Sequence, residues 1–216
     1  MTRILPGVIA MAIIVVASNI LVQFLILDGL LTWGAFTYPL AFLVTDIMNR
    51  VYGPAAARKV VFAGLVVGII CSLIGSQIML QGDGFTYPAV ALRIAIGSAT
   101  AFVIAQLLDI LVFDRLRDGS WWRAPLASTL IGSTVDTVIF FSIAFAAVFN
   151  GLSASAADEV IWAQEAVPFL NMGPLVPLWV SLAVADWGVK LSIALIALIP
   201  FRIIVGQIMQ QRAKTA

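Results

Sequence analysis

The sequence predicts an all-α, polytopic membrane protein, six transmembrane helices making one domain over residues 1–216. Three observations predict it. Hydrophobic residues are 62% of the chain, charged residues only 11%, and the mean hydropathy is +1.09; a soluble domain has roughly 45–50% and about 25%. The apolar residues form long runs, and at about 20 residues per crossing the length accommodates roughly five to seven. The connections between runs alternate in charge, as they do when successive loops lie on opposite sides of a membrane.

Span 1 is drawn from Leu5 to Leu27, span 2 from Phe36 to Tyr52 and span 3 from Val60 to Leu80. Span 4 runs from Ala89 to Phe113, span 5 from Leu126 to Phe149 and span 6 from Leu175 to about Ile204. Gly and Pro mark the breaks: Gly29, Gly34, Gly53-Pro54, Gly82 to Pro88, Gly119, Pro125, Gly151 and Gly173-Pro174. Span 1 exceeds a signal-peptide core, carries Asn19 and Gln23, and precedes no small-residue cleavage site, so it is expected to be retained.

Basic residues favour the cytoplasm. Arg3 precedes span 1; Arg50, Arg58 and Lys59 flank the turn between spans 2 and 3; Arg115, Arg117 and Arg123 separate spans 4 and 5; Arg212 and Lys214 close the tail. The other three connections hold no Lys or Arg and carry Asp28, then Asp83, then Asp158, Glu159 and Glu165. Both termini are therefore expected in the cytoplasm. In the long last connection, Ser155 reads as the N-cap of a short helix with Val160, Ile161, Trp162 and Val167 on its apolar side. That helix either lies on the outer leaflet or forms a lid.

Several chemistries are excluded or disfavoured. With no His and a single Cys, Cys71, the chain lacks Ser-His or Cys-His pairs, an internal disulfide and the usual ligands of zinc or haem. No cofactor and no metal site is expected. A net charge of +1 points to no nucleic-acid partner. The absence of G-x-x-x-x-G-K-[ST] means that the chain itself does not bind ATP through a P-loop.

Ionisable groups at bilayer depth cost at least ~2.5–3.5 kcal/mol each on insertion scales, so they demand a reason. Span 2 carries Asp46, Asn49 and Arg50 on one face; Asp46 and Arg50 can pair across a turn, either as a neutralised helix end or as part of a site. Span 4 carries Gln106 and Asp109 at i, i+3, and Arg93 near its outer end, where it can snorkel. Span 5 carries Thr129, Ser133 and Asp136 on one face that Phe140 continues, and Asp136 has no base within a turn. It must be protonated, paired with another helix or bound to a ligand. Span 6 carries Asp186 and Lys190 in the favourable acid-before-base order, with Trp187 as lipid-facing bulk or a stacking surface. Only span 3 is almost purely apolar; its Gly64, Gly68, Ser72 and Gly75 offer a close-packing face, for a neighbouring helix or a second copy. Stripes that lipid cannot accommodate must converge on a polar interior or a protein interface.

The run Phe36-Thr-Tyr-Pro-Leu-Ala-Phe-Leu-Val-Thr-Asp-Ile-Met-Asn-Arg-Val-Tyr-Gly53 resembles the hallmark of the queuosine precursor transporters, also called the vitamin uptake transporter family. The matching positions are Pro39, Leu40, Thr45, Asp46, Asn49, Tyr52 and Gly53, then Arg58-Lys59. Gln106 to Asp109, the stretch from Ser128 through Ser133 and Asp136 to Phe140, and Lys190 followed by Pro200 also fit. Arg50 departs from the pattern, since many members carry an acid there. The resemblance implies import of a 7-deazaguanine, preQ0 or preQ1, across the bacterial inner membrane. It also implies kinship with the six-helix substrate-binding components of energy-coupling-factor transporters.

The chain is thus read as a non-enzymatic importer of a small heterocyclic solute, embedded in the lipid bilayer and expected to form a homodimer. The expected solute contacts are Asp46, Asn49, Gln106, Asp109, Ser133, Asp136, Asp186 and Trp187. The alternatives are a substrate-binding subunit of an ATP-driven vitamin uptake complex, or a membrane scaffold whose stripes bind partner helices. The charge alternation makes a direct prediction. In a Cys71→Ser background, cysteines replacing Ser155 and Arg117 should react with an impermeant reagent from opposite sides of the membrane; labelling from one side would sink the topology.

Overall fold

The computed structural model describes residues 4–21, 24–27, 31–81, 86–152 and 158–215. Arg3, Gln23, Asp28, Asp83 and the expected N-cap Ser155 lie outside these.

Helix α1 spans Leu5–Leu21 and ends earlier than expected because strands β1 (Leu25–Ile26) and β2 (Leu31–Thr32) pair antiparallel. The second apolar run is broken. It forms α2 (Gly34–Thr37) and α3 (Leu40–Tyr52), separated at Tyr38-Pro39. Pro39 has no N–H to give the preceding turn. Gly53, at φ 86°, ends α3 in a conformation that disfavours any side chain, and Pro54 then opens α4 (Pro54–Gln77) at its first turn. Strands β3 (Met79–Gln81) and β4 (Thr86–Pro88) form a hairpin before α5 (Leu92–Leu116). Helix α6 (Arg123–Phe145) follows. After two 3-10 turns, Ala147–Leu152 and Asp158–Gln164, strand β5 (Ala166–Pro168) pairs with β6 (Leu175–Pro177). Helix α7 (Leu178–Thr215) is continuous through Pro200.

The three hairpins occupy the three connections without Lys or Arg, where extended backbone satisfies its own hydrogen bonds as the chain turns back. The last connection differs from the helix expected there. Around a kink at Val160 it makes a 3-10 turn, and Val160 and Ala163 pack inward on Phe141, Ala144 and Phe145 of α6. Ile161 and Trp162 stay exposed, Trp162 with its ring edge against Phe145 at 5.7 Å.

Burial is inside-out relative to a water-soluble protein. Thr45, Asn49, Gln106, Asp109, Ser128 and Ser133 are wholly buried, while Ile13, Leu73, Val138, Leu195, Ile196 and Ile199 are more than half exposed. Helices α4, α5, α6 and α7 are long and apolar enough to cross a membrane, and α1 is a shorter apolar helix. The chain is an all-α polytopic membrane protein.

Small residues set the close approaches. Gly64 and Gly68 of α4 receive Met11 and Val15 of α1, so this part of the small-residue face is used within the chain. At Gly97 of α5 the backbone of α6 is 3.4 Å from where a Cβ would stand. At Gly132 of α6 a Cβ would stand 2.8 Å from Phe42 and 3.3 Å from the carbonyl oxygen of Ala105 on α5.

Arg93 does not snorkel; it is wholly buried. Its Nε donates to the Ile143 carbonyl at 2.8 Å, Nη1 to Asn150 Oδ1 at 2.7 Å and Nη2 to the Ala146 carbonyl. Gln164 donates to the Phe145 carbonyl at 2.6 Å. Carbonyls left open at the C-terminal end of α6 thus gain donors and a cation, which suits the negative helix end.

Gly132 yields a prediction. Gly132→Val should cost about 1–3 kcal/mol through overpacking. A thermal melt in detergent checks this, and an unchanged melt would mean that α5 and α6 do not meet so closely.

Candidate functional site

Helix α6 carries two sets of polar side chains on its buried side, Ser128 and Thr129 near its start and Asp136 and Thr137 two turns further on. At 1.5 Å rise per residue the sets lie about 12 Å apart along the axis. Each is the centre of a buried polar layer.

The layer nearer the hairpin end joins α6, α7 and the break between α2 and α3. Lys190 Nζ lies 2.7 Å from Asp136 Oδ2 and 2.5 Å from Asp186 Oδ2. It also donates to Thr137 Oγ1 at 3.1 Å, and Thr137 donates to Asp186 at 3.2 Å. Tyr38 donates its hydroxyl to the other oxygen of Asp136 at 2.8 Å, and Lys190 lies 5.4 Å from the centroid of its ring. Asp136, which has no base within a turn of its own helix, is paired with another helix. Lys190 serves both acids rather than Asp186 alone.

The layer nearer the basic end joins α3, α5 and α6. Asp46 accepts from Ser128 at 3.1 Å and from Thr129 at 3.2 Å. The Asp46–Arg50 pair that their spacing allows is not among the ion pairs of the described residues. Arg50 instead donates to the Arg117 carbonyl, while Arg117 donates to the Asn49 carbonyl at 2.7 Å. Each of these cations thus serves a backbone carbonyl at a helix end, Arg50 that of Arg117 after α5 and Arg117 that of Asn49 in the last turn of α3. Thr45 donates to Gln106 Oε1 at 2.6 Å, and Asn49 Nδ2 donates to the Ile110 carbonyl at 3.1 Å. Asp109 lies against Asp46 and Ser128.

Four buried polar atoms in this layer have no hydrogen-bond partner: Asn49 Oδ1, Gln106 Nε2 and both carboxyl oxygens of Asp109. They are three acceptors and one donor, on one face of α3 and one face of α5. Each costs about 1–3 kcal/mol while unmatched, which makes this layer the candidate solute site. The free space beside Asp46 and Thr129, between Pro39, Pro125 and Ala194, is about 10 Å³. That holds about one water, not a bicyclic ring, so occupancy by a larger solute requires α3, α6 and α7 to separate.

The eight expected solute contacts are therefore divided. Asp46, Asn49, Gln106 and Asp109 share one layer, and Asp136 and Asp186 share the other. Ser133 is buried between them and bonds the Leu130 carbonyl at 3.3 Å. Trp187 stands apart at the rim of a groove of about 300 Å³ between α6 and α7, lined also by Thr137, Phe141 and Trp179. Its Nε1 donates to Thr134 at 3.0 Å. Sequence reasoning did not select Tyr38, which joins Asp136 across 98 residues. Its position beside Pro39 in the motif segment was the available signal.

Residues 32–205 match the model of a family described as "Putative vitamin uptake transporter". The chain belongs to this family. The matched stretch contains every residue of both layers. A "Probable queuosine precursor transporter" of Haemophilus influenzae is 37% identical over 176 residues, 78% of this chain and 66% of that protein, just under two thirds of its length. The "Queuosine precursor transporter" of Escherichia coli is 33% identical over 197 residues, 87% of this chain and 79% of that protein. A "Probable queuosine precursor transporter" of Bacillus subtilis is 30% identical over 132 residues, 55% of this chain and 58% of that protein. No solved structure matches. The relatives are named as transporters, a non-enzymatic role.

The ion network generates a stability prediction. Lys190→Met leaves two buried acids facing one another and should cost about 3–5 kcal/mol. Adding Asp136→Asn and Asp186→Asn should restore much of that loss. Thermal unfolding of the single and triple variants checks it; a single variant as stable as the parent would show that the lysine holds nothing together.

Proposed function

We propose that this chain imports a queuosine precursor, a 7-deazaguanine such as preQ0 or preQ1, across the bacterial inner membrane. The observation that carries the reading is the set of four unmatched atoms between α3 and α5. The pyrimidine edge of a guanine-like base offers N1–H and an exocyclic amine side by side, then an acceptor at O6. Asp109 has two free acceptors for the donors, and Gln106 Nε2 is a free donor for O6. Asn49 Oδ1 adds a further acceptor. The names of the bacterial relatives point to the same class of solute.

In this reading Asp46, Asn49, Gln106 and Asp109 recognise the base. Asp136, Asp186 and Ser133 line the passage above it, and Trp187 provides an aromatic face where the ring first stacks, at about 1–3 kcal/mol per base. Opening alternates between the two ends of the bundle. The chain crosses the bilayer six times as one domain, with α1 and the broken α2–α3 pair as two of the crossings. Both termini are cytoplasmic, and the bundle is akin to the substrate-binding components of energy-coupling-factor transporters. A homodimer would use the outward face of α4, Phe62, Val66, Ile69 and Leu73, since Gly64 and Gly68 are taken by α1.

Uptake of a labelled 7-deazaguanine by a host without its own importer tests the function. Asp109→Asn puts a donor where two acceptors are needed. It should weaken uptake or binding by roughly 5- to 150-fold, the equivalent of about 1–3 kcal/mol. Full uptake by that variant would remove Asp109 from the site. No uptake by the parent chain would overturn the import itself.

A further inference from the structure

The layer of α6, α7 and the α2–α3 break holds more acid than base. Lys190 lies 2.7 Å from Asp136 and 2.5 Å from Asp186, so one ammonium serves two carboxylates. Among the described residues the charged groups that bear on Asp186 are Lys190 and Asp136, and Asp136 also accepts from the Tyr38 hydroxyl. The charged groups of the neighbouring elements are turned elsewhere. Asp46 and Arg50 of α3 bond Ser128, Thr129 and the Arg117 carbonyl. On α5, Arg93 serves the last carbonyls of α6, and Asp109 lies against Asp46. Arg202 and Arg212 of α7 lie over Trp121 and Tyr52. Helix α2, strands β2 and β6 and the 3-10 turn Phe169–Asn171, which also pack on α7, contain no charged residue. The turn before β5 presents Val160 and Ala163.

With both acids ionised, the set carries one excess negative charge. Its side chains are enclosed, with 4% exposure for Lys190, 3% for Asp136 and 16% for Asp186, where an unmatched charge is strongly disfavoured. A metal-sized cation has no place in the set, because the ammonium already stands between the two carboxylates. A proton needs only one open oxygen. Asp136 uses both of its oxygens, Oδ2 for Lys190 and Oδ1 for Tyr38. Asp186 takes Lys190 and Thr137 both on Oδ2, and it is the most exposed of the three. Its Oδ1 is the position for a proton. Movement changes this balance. Asp186 and Lys190 lie one turn apart on one helix and stay paired, whereas Asp136 travels with α6. With α6 drawn away from α7, the α7 pair is neutral and water meets the charge of Asp136. When the layer closes and dries, Lys190 is shared again and one proton has to enter.

We propose that this layer is a proton site and that the chain is a solute–proton symporter. One proton leaves a hydronium ion on the outer side as the layer closes, rests on Oδ1 of Asp186, and passes to water on the cytoplasmic side when the layer opens there. Helix α6 links this cycle to the solute, because it carries Ser128 and Thr129 of the lower layer as well as Asp136. The proposal rests on the import reading above and adds to it the force that drives accumulation.

The test uses the full chain in proteoliposomes and labelled 7-cyano-7-deazaguanine, which is neutral, so that a gradient acts on the protein's proton and not on the cargo. Valinomycin in sodium-free potassium buffer holds the membrane potential at zero. A gradient of about one pH unit, acid outside, should concentrate the solute about 10-fold at one proton per solute, and a protonophore should return it to equal concentrations. Without a gradient, adding solute outside should acidify the lumen, read by an entrapped pH dye. Asp186→Asn, checked as folded by its thermal melt, leaves a balanced Asp136–Lys190 pair and should bring the accumulation ratio to about 1 at whatever rate it transports. Asp186→Glu should keep a ratio above 1. The parent chain decides the question without either variant. Uptake that only equilibrates under the gradient overturns the proton coupling and leaves the import reading standing. Accumulation that follows an imposed sodium gradient instead overturns the proton in favour of a metal cation. A ratio that survives Asp186→Asn overturns the assignment to Asp186. No uptake with or without a gradient overturns the import reading and this proposal with it.

Discussion

Asp136 of α6 meets Lys190 of α7 at 2.7 Å and Tyr38, at the break between α2 and α3, at 2.8 Å. Much of the molecule is arranged around that contact. Hydrocarbon cannot solvate a carboxylate, so the helices that carry one must turn it toward partners and enclose it. Once α6 and α7 face each other through Asp136 and Lys190, the rotation of both helices is set. Val138 of α6 and Leu195, Ile196 and Ile199 of α7 then point outward to lipid. The same rotation brings Ser128 and Thr129 of α6 to Asp46, two turns below.

Helix α6 thereby belongs to both layers, and Gly132 lies between them. Without a side chain at that position, α6 comes close to Phe42 of α3 and to the backbone of α5. This closeness excludes solute from the lower layer and leaves about 10 Å³ beside Asp46. A helix gripped at two depths moves as a unit. Separating it from α3 disturbs the contact between Tyr38 and Asp136 as well. The break at Tyr38-Pro39 is suited to absorb such a movement, because the missing N–H of Pro39 leaves that turn with fewer bonds to lose.

The ends of the bundle are held by different means. At the basic end the carbonyls of Asn49 and Val51 of α3 accept from Arg117 and Arg212, and Arg212 also covers the ring of Tyr52 at 4.7 Å. At the other end Arg93 and Gln164 serve the last carbonyls of α6. Among the described residues, the buried side-chain atoms without a hydrogen-bond partner all lie in the lower layer.

The sequence by itself determined what must be buried and roughly where the chain turns. Composition and the alternation of loop charge made a polytopic helical protein legible. The i, i+3 and i, i+4 spacings put Asp46 with Asn49, Gln106 with Asp109, and Asp186 with Lys190, because helical periodicity is local. Local spacing also suggested wrong or incomplete partners. It paired Asp46 with Arg50, and it sent Arg93 to the interface. Only the tertiary structure decided that Arg50 turns to a backbone carbonyl, that Arg93 closes the end of α6, and that Asp136 finds its base 54 residues away. It also divided one expected site into two layers. The physical reason is that a periodic stripe fixes the face of a helix but not which helix it meets. That choice depends on close approaches such as Gly97 and Gly132, and on which donors remain once every helix end has taken its share.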